Sequence, residues 1–205
     1  MTGSAANAST LLAIARRLAE QARIPMPSAL PSLLYLSDSV RSPDPVRVAR
    51  TLPAGCGVVL RHYDHHDRRK LARTVAAVCR ERGLTFLVAA DPALAADVGA
   101  DGVHWPEALL AQQSPSATGI VTTAAHGLAG LQAAAFHRCD VAILSPLFAT
   151  ASHRDAAPLG LDRFRALVVQ ARIPVLALGG ITATNAGTLE GCGAAGIAAI
   201  GAFEL

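Results

Sequence analysis

The chain has 205 residues and a formal net charge of +3, and 52% of its residues are apolar while only 4% are aromatic. This length provides for one sizeable domain with a substantial core, and the apolar composition is typical of layered α/β proteins rather than β-sandwiches. The basic residues are dispersed, which argues against a nucleic-acid partner. No apolar run is long enough to span a bilayer and no signal peptide is recognisable, so the sequence predicts a cytoplasmic protein without a membrane partner.

The N-terminal part begins with an amphipathic segment, 8–22, that predicts a helix, and three prolines in 23–32 favour an irregular linker after it. Residues 1–32 are therefore expected to form an N-terminal helix and linker, and 33–205 the main domain. Short apolar runs predict eight strands at 33–37, 57–62, 85–90, 102–105, 119–124, 141–146, 175–180 and 196–202. Helical patterns lie at 44–51, 67–83, 92–98, 106–111, 127–138, 161–172 and 182–193.

The spacing of these elements indicates the fold. A strand and a helix recur about every 20–30 residues, which is the length of a strand plus its crossover helix. Eight such units predict a (β/α)8 TIM barrel with an extra N-terminal helix. A doubly wound open sheet is the alternative, because strand boundaries are difficult to place from sequence.

Three groups of polar or reactive residues are interpreted without a function. The cluster 68–70 (Arg-Arg-Lys) is expected to be a solvated helix face, and 65–66 (His-His) a solvated loop. The four cysteines lack metal-binding spacing and are interpreted as small buried apolar side chains in a reducing compartment; they are Cys56, Cys79, Cys139 and Cys192.

Chemistry in a barrel lies at the C-terminal ends of the strands. Arg61 ends the second predicted strand, His104 lies near the end of the fourth, and His126 follows the fifth. The seventh and eighth strands end in two short glycine-containing pairs, Gly179-Gly180 and Ile200-Gly201.

The glycine-ended strands predict a phosphate site, because barrels often hold a phosphate there through backbone N–H groups. Glycine would let the anion approach the backbone, and a side chain at Gly180 is then expected to occupy the anion's space. The alternative is a tight turn that needs glycine for its conformation alone.

With these residues placed, the chain resembles the thiamine phosphate synthase/TenI family of (β/α)8 barrels. The resemblance rests on LYLSD (34–38), GADGVHW (99–105), AAH (124–126), DVAILSPLFATASHRD (140–155), PVLALGGITATNAG (174–187) and GAAGIAAIGA (193–202). It implies that a thiazole phosphate is held by the backbone at Gly179, Gly180, Ile200 and Gly201.

The chain departs from the synthase pattern at the positions that the resemblance assigns to Mg²⁺ and pyrophosphate. The synthase joins a pyrimidine diphosphate to the thiazole phosphate and expels pyrophosphate, which calls for Mg²⁺ and cationic side chains. The metal-binding carboxylates would stand at Ala90 and Leu109. Asp91 and Glu107 are the nearby carboxylates that could form a relocated site.

The pyrophosphate-binding side chains are also partly replaced. Of the polar residues that the family has on strand two, only Arg61 remains. In the strand-six loop Thr150 is kept, Ser152 replaces a threonine, and His153 stands where a lysine is expected. These residues are expected to contact the ligand.

The TenI branch implies another activity, tautomerisation of the thiazole carboxylate phosphate. This reaction needs one acid/base group near neutral pH and a phosphate anchor, but no metal and no cofactor. His126 matches the TenI catalytic position, although a loop or helix-capping histidine is the alternative interpretation. His104 matches a family-wide histidine that is interpreted as more structural than catalytic, and it is included among the residues expected to contact the ligand.

The sequence therefore favours a TenI-like tautomerase that binds a small phosphorylated ligand. A divergent synthase, which would require Mg²⁺, stays open. So does a regulatory protein that binds a phosphate ligand without chemistry. The sequence leaves the oligomeric state open, a homo-oligomer included.

Overall fold

Eight parallel strands close into a barrel in the computed structural model, which describes residues 2–113, 119–150 and 157–203, with side chains from residue 5 onward. The strands are β1 Leu33–Leu36, β2 Gly57–Leu60, β3 Thr85–Ala89, β4 Gly102–Trp105, β5 Ile120–Ala125, β6 Val141–Leu144, β7 Val175–Leu178 and β8 Gly196–Ala199. Each strand pairs with the next, and β8 pairs with β1. The predicted TIM barrel is confirmed, and the open-sheet alternative is wrong.

The described helices are α1 Thr2–Glu20, α2 Pro45–Thr51, α3 Arg68–Arg82, α4 Pro92–Val98, α5 Leu128–Phe136 and α6 Gly160–Gln170. Short 3₁₀ helices span Glu107–Gln112, Ala186–Leu189 and Gly201–Phe203. Within the described ranges, no helix has the length and apolar character needed to cross a membrane.

The helix predicted over 182–193 is wrong, because only Ala186–Leu189 is helical there, and that turn is 3₁₀. The Asn185 side chain accepts a hydrogen bond from the backbone N–H of Thr182, which closes a local turn. Gly191 and Gly193 have positive φ values of 73° and 80°, which do not continue an α-helix.

The N-terminal helix α1 packs against β8 and β1 on the outside of the barrel. It begins at Thr2, before the predicted start at residue 8, whereas its buried residues, such as Ala8, Leu11 and Leu18, lie within the predicted segment. Arg17 on α1 forms an ion pair of 2.9 Å with Glu190.

Two apolar layers form the core. The larger layer lies between the strands and the helices, and it includes the four cysteines, which are buried and unpaired as predicted. The smaller layer fills the barrel interior. β1, β3 and β6 each contribute two residues that are two apart, and β2, β7 and β8 contribute one each: Leu34, Leu36, Val59, Leu87, Ala89, Val141, Ile143, Leu176 and Ala198. Residues that continue this alternation past the strand ends, such as Arg61 after Val59, reach the C-terminal mouth of the barrel.

Candidate active site in the barrel mouth

A cavity of about 930 Å³ opens at the C-terminal ends of the strands. Every predicted site residue within the described ranges lines it: Arg61, His104, His126, Thr150, Gly179, Gly180, Ile200 and Gly201. Ser152 and His153 lie outside the described residues. The cavity wall also includes Arg41 and Glu107, for which the sequence predicted no ligand-binding role beyond a possible relocated metal site at Glu107.

The two glycines after β7 are required by the backbone itself. Gly179 and Gly180 have φ values of 107° and 65°, in the region that favours glycine. A Cβ on Gly179 would lie 2.8 Å from Pro146 Cα, and one on Gly180 would lie 2.7 Å from the carbonyl oxygen of Ala149. The expectation that a side chain at Gly180 would occupy an anion's space is therefore wrong, since the side chain would meet the loop after β6 instead.

Asn185 stabilises the conformation of the loop after β7. The sequence analysis assigned this role to no residue. Its Nδ2 group donates to the carbonyl oxygen of Gly180 (2.8 Å), and its Oδ1 atom accepts from the N–H of Thr182 (2.8 Å). Among the described residues, the N–H groups of Gly180 and Ile181 have no hydrogen-bond acceptor. The Thr-x-x-Asn spacing at 182–185 could have predicted this turn, because Asn side chains commonly form hydrogen bonds to nearby backbone groups in turns.

The loops after β4 and β5 bring a carboxylate to a histidine. His126 Nδ1 lies 2.5 Å from Glu107 Oε2, and the two side chains are 52% and 31% exposed. Gly130 on α5 leaves room for this carboxylate, since a Cβ there would lie 2.6 Å from Glu107 Oε1. With Nδ1 engaged by Glu107, the other ring nitrogen, Nε2, is the one that can exchange a proton with a ligand.

His104 differs from His126 in its burial, because its side chain lies at the bottom of the cavity and is only 3% exposed. Its Nδ1 atom lies 2.9 Å from Thr122 Oγ1. Burial, helped by the positive charge of Arg61, lowers the pKa of His104 to about 3. The ring is therefore neutral at physiological pH.

Two arginines at the mouth share one carboxylate. Asp38 Oδ2 lies 2.6 Å from Arg41 Nη2 and 4.0 Å from Arg61 Nη2. Burial opposes ionisation of Asp38, but hydrogen bonds from the side chain and backbone of Arg41, together with its charge, hold the pKa of that carboxyl well below its usual range. The three groups leave one net positive charge beside the cavity.

The loop after β3 contains no free metal ligand. Asp91 caps α4 by accepting from the N–H of Leu94 (2.9 Å), and its other oxygen lies 3.3 Å from Arg68 Nη1. Arg68 also donates to the carbonyl oxygen of Ala89 (2.6 Å), and its side chain is only 17% exposed. The interpretation of Arg68 as part of a solvated helix face is therefore wrong, because its guanidinium ties α3 to this loop.

The described residues do not fit the Mg²⁺ site that the family resemblance implies. Ala89 and Ala90 offer no side-chain oxygen, Asp91 is engaged by Arg68 and the α4 cap, and Glu107 is engaged by His126. Within the described ranges, no three His, Cys, Asp or Glu side chains come together as a metal site. Mg²⁺ requires near-octahedral oxygen coordination, which these residues do not supply.

Comparison with known proteins places the chain in a family. The family model described as thiamine monophosphate synthase matches residues 38–203. The chain belongs to this family. The predicted membership of the thiamine phosphate synthase family is thus confirmed, and with it the assignment to the thiamine pathway.

Relatives of the chain bear the name of the synthase. A putative thiamine-phosphate synthase 2 of Aquifex aeolicus is 37% identical over 153 residues, which cover 71% of this chain and 81% of the relative. The thiamine-phosphate synthase of Laribacter hongkongensis is 33% identical over 161 residues, covering 74% and 75%. A solved structure, the thiamine phosphate pyrophosphorylase from Pyrococcus furiosus, has a TM-score of 0.65 at 25% identity and covers 82% of this chain and 84% of that one. These names correspond to the alternative, and not to the tautomerase that the sequence favoured.

Proposed function

We propose that this protein is a thiazole phosphate tautomerase that uses His126 as its acid/base group and no metal. The observation that carries the proposal is the Glu107–His126 pair in the cavity wall. A carboxylate on Nδ1 fixes the tautomer of the ring and stabilises the imidazolium that forms when Nε2 takes a proton. A family member that retained only the phosphate anchor would not need this pair.

The ligand's phosphate is proposed to bind between the loops after β7 and β8. The N–H groups of Gly180 and Ile181 are available as donors, and Asn185 holds their loop from behind. Gly201 lies at the neighbouring strand end, so both loops face the same cavity. Backbone N–H groups arranged in this way favour an anion without a lysine or a metal.

The proposed reaction moves a proton and breaks no bond between heavy atoms. His126 Nε2 removes a proton from one ring carbon of the thiazole carboxylate phosphate, and the electron pair shifts within the conjugated ring. The imidazolium then returns a proton to a second ring carbon. Glu107 balances the charge of the intermediate imidazolium. The step moves only a proton and an electron pair within the ligand, so it needs no oxidant and no second substrate.

Proton exchange in D₂O, followed by NMR on thiazole carboxylate phosphate, tests the proposal. The wild-type protein should exchange the ring proton well above the buffer rate. A His126→Asn variant should lose about 10²–10⁴-fold in rate, the usual contribution of a positioned acid/base group, and should still bind the ligand. His66→Asn is the matched control, because His66 is exposed in the turn before α3 and outside the cavity.

Two outcomes would replace the proposed tautomerase activity with another function. Ligand binding without exchange in the wild type would establish a binding protein without chemistry. Pyrophosphate release from a pyrimidine diphosphate and thiazole phosphate in the presence of Mg²⁺ would establish the synthase. The synthase is the second candidate because the relatives at 37% and 33% identity bear its name.

A further inference from the structure

His104 and Arg61 lie at the same height in the barrel interior. The strand register pairs Leu60 with Val88 and Val88 with Val103, so the next residues, Arg61, Ala89 and His104, share one level. Ala89, on the strand between them, has a side chain of one methyl group. Arg61 and His104, on either side of it, both line the cavity.

The hydrogen bond to Thr122 decides which nitrogen of His104 carries the proton. Thr122 Oγ1 is buried, and its hydroxyl has no other acceptor among the described residues than His104 Nδ1. A buried hydroxyl that donates to nothing is costly, so the hydroxyl donates to Nδ1. In a neutral ring the proton is then on Nε2, which makes no hydrogen bond to any described residue.

The surroundings keep the ring in this neutral state. The titratable and charged side chains that face the cavity within the described ranges are Arg41, Arg61, Tyr63, Glu107 and His126. Arg61 is the charged group that acts on His104, and it acts in the same direction as burial, which lowers the pKa of the ring to about 3. Through neutral pH, His104 is a donor of fixed direction rather than a titrating group.

We propose that His104 donates an Nε2–H hydrogen bond to a carboxylate oxygen of the ligand and that Arg61 pairs with the same carboxylate. This inference rests on the proposed function, since it assigns the second anionic group of a phosphorylated thiazole carboxylate. A neutral donor next to a guanidinium complements one negative oxygen without adding a second positive charge.

The barrel geometry places this carboxylate subsite across the mouth from the proposed phosphate loops. In a closed barrel of eight strands, β4, which carries His104, lies opposite β8. His126 follows β5, beside β4, and therefore lies on the carboxylate side of the cavity. A ligand anchored at both ends would present its ring between the two subsites, within reach of His126 Nε2.

Calorimetric titration with two probes tests the inference. The probes are thiazole carboxylate phosphate and the same thiazole phosphate without the carboxylate. Both are titrated into His126→Asn protein, so that turnover does not alter the ligand. The carboxylated probe should bind about ten- to hundredfold more tightly, which is the value of a hydrogen bond to a charged group. Adding His104→Phe should remove most of this preference and leave the affinity for the other probe unchanged.

Two further measurements separate this role from a structural one. His104→Gln keeps a side-chain N–H donor and should restore part of the preference. In wild-type protein, ¹⁵N NMR should show His104 neutral and protonated at Nε2 from pH 5 to pH 8, independently of whether any variant folds.

Three results would overturn the inference. The first is that the His126→Asn protein binds the two probes with equal affinity, or binds neither of them. The second is an equal loss of affinity for both probes in the His104→Phe protein. The third is an NMR signal of a ring protonated at Nδ1. An absence of proton exchange in wild-type protein would remove the tautomerase but would not affect the measured preference for the carboxylate.

Discussion

The two sides of the barrel mouth are built differently. The backbone rim consists of the loops after β7 and β8, residues 179–182 and 200–202. The side-chain rim consists of His104 on β4 and of the loops after β2, β4 and β5, in which Arg61, Glu107 and His126 face the cavity. The backbone rim offers N–H groups and glycine, whereas the side-chain rim offers ionisable groups.

The two rims differ in what a ligand site on each would require. The proposed anion site needs only a loop geometry, and Asn185 and the glycines hold the loop after β7 in its observed conformation. A metal site needs particular oxygen ligands, and Ala90 and Leu109, at the positions that the family resemblance assigns to the carboxylates, supply none. Under the proposed function, the side-chain rim would carry the chemistry and the backbone rim would anchor the phosphate.

Breaking the Glu107–His126 contact should have the largest effect among the following changes. Glu107→Gln keeps the size of the side chain but removes the negative charge that stabilises the imidazolium. We expect kcat for proton exchange to fall about ten- to hundredfold with little change in KM, because hydrogen bonds to charged groups contribute roughly 1.5–3 kcal/mol. Steady-state kinetics by NMR would measure both parameters. A rise in KM with unchanged kcat would instead make Glu107 a binding residue.

The buried His104 should make stability fall as the solution is acidified. Its folded pKa of about 3 lies below the unfolded value of about 6.5, so between these values the unfolded chain binds more protons. From pH 7 to pH 5 the free energy of unfolding should decrease by about 2 kcal/mol through this residue. His62, whose pKa is also lowered by burial, acts in the same direction.

Urea unfolding at pH 7 and pH 5 would measure this change. The His104→Gln variant is the control, and its stability should depend less steeply on pH over the same interval. An identical dependence in wild type and variant would show that His104 is not buried as a neutral ring.

A charge placed on the backbone rim should weaken phosphate binding. An added Cβ at Gly201 meets no atom within 4 Å, so a side chain fits there without strain. Gly201→Asp should lower the affinity for the phosphorylated probe about tenfold, through repulsion between like charges at short range. Gly201→Asn has the same shape without the charge and should bind nearly as the wild type does. Calorimetry on this matched pair would show whether the anion binds here.

The smallest expected effect is a change in stability at Ala90, in the loop after β3. Ala90 has a positive φ of 54°, a conformation that costs an alanine roughly 1–2 kcal/mol. Ala90→Gly removes this cost but adds backbone entropy to the unfolded state, so a net gain of about 0.5 kcal/mol is expected. Ala89→Gly, in regular strand conformation, should instead destabilise the protein by roughly 0.5–1 kcal/mol. Denaturant unfolding of the two variants would show whether the free energy of unfolding rises in one and falls in the other.

Much of the fold is determined by local patterns in the sequence. Strand β4 is predicted to the residue, and Gly83 and Gly99 end α3 and α4 in the left-handed conformation that glycine favours. The alternation along each strand also places Arg61 and His104 on the cavity side, because residues two apart share a face. The family resemblance rests on the same local motifs.

Contacts between different loops are decided only by the tertiary structure. Glu107 and His126 are 19 positions apart, and Arg68 and Asp91 are 23 apart, so no periodicity links them. They meet because neighbouring strands of a closed barrel bring their C-terminal loops together. Because the contact between Arg68 and Asp91 cannot be read from the sequence, Asp91 was considered as a metal ligand and Arg68 as part of a solvated face. The burial that keeps His104 neutral likewise depends on the whole barrel around it, which no single segment encodes.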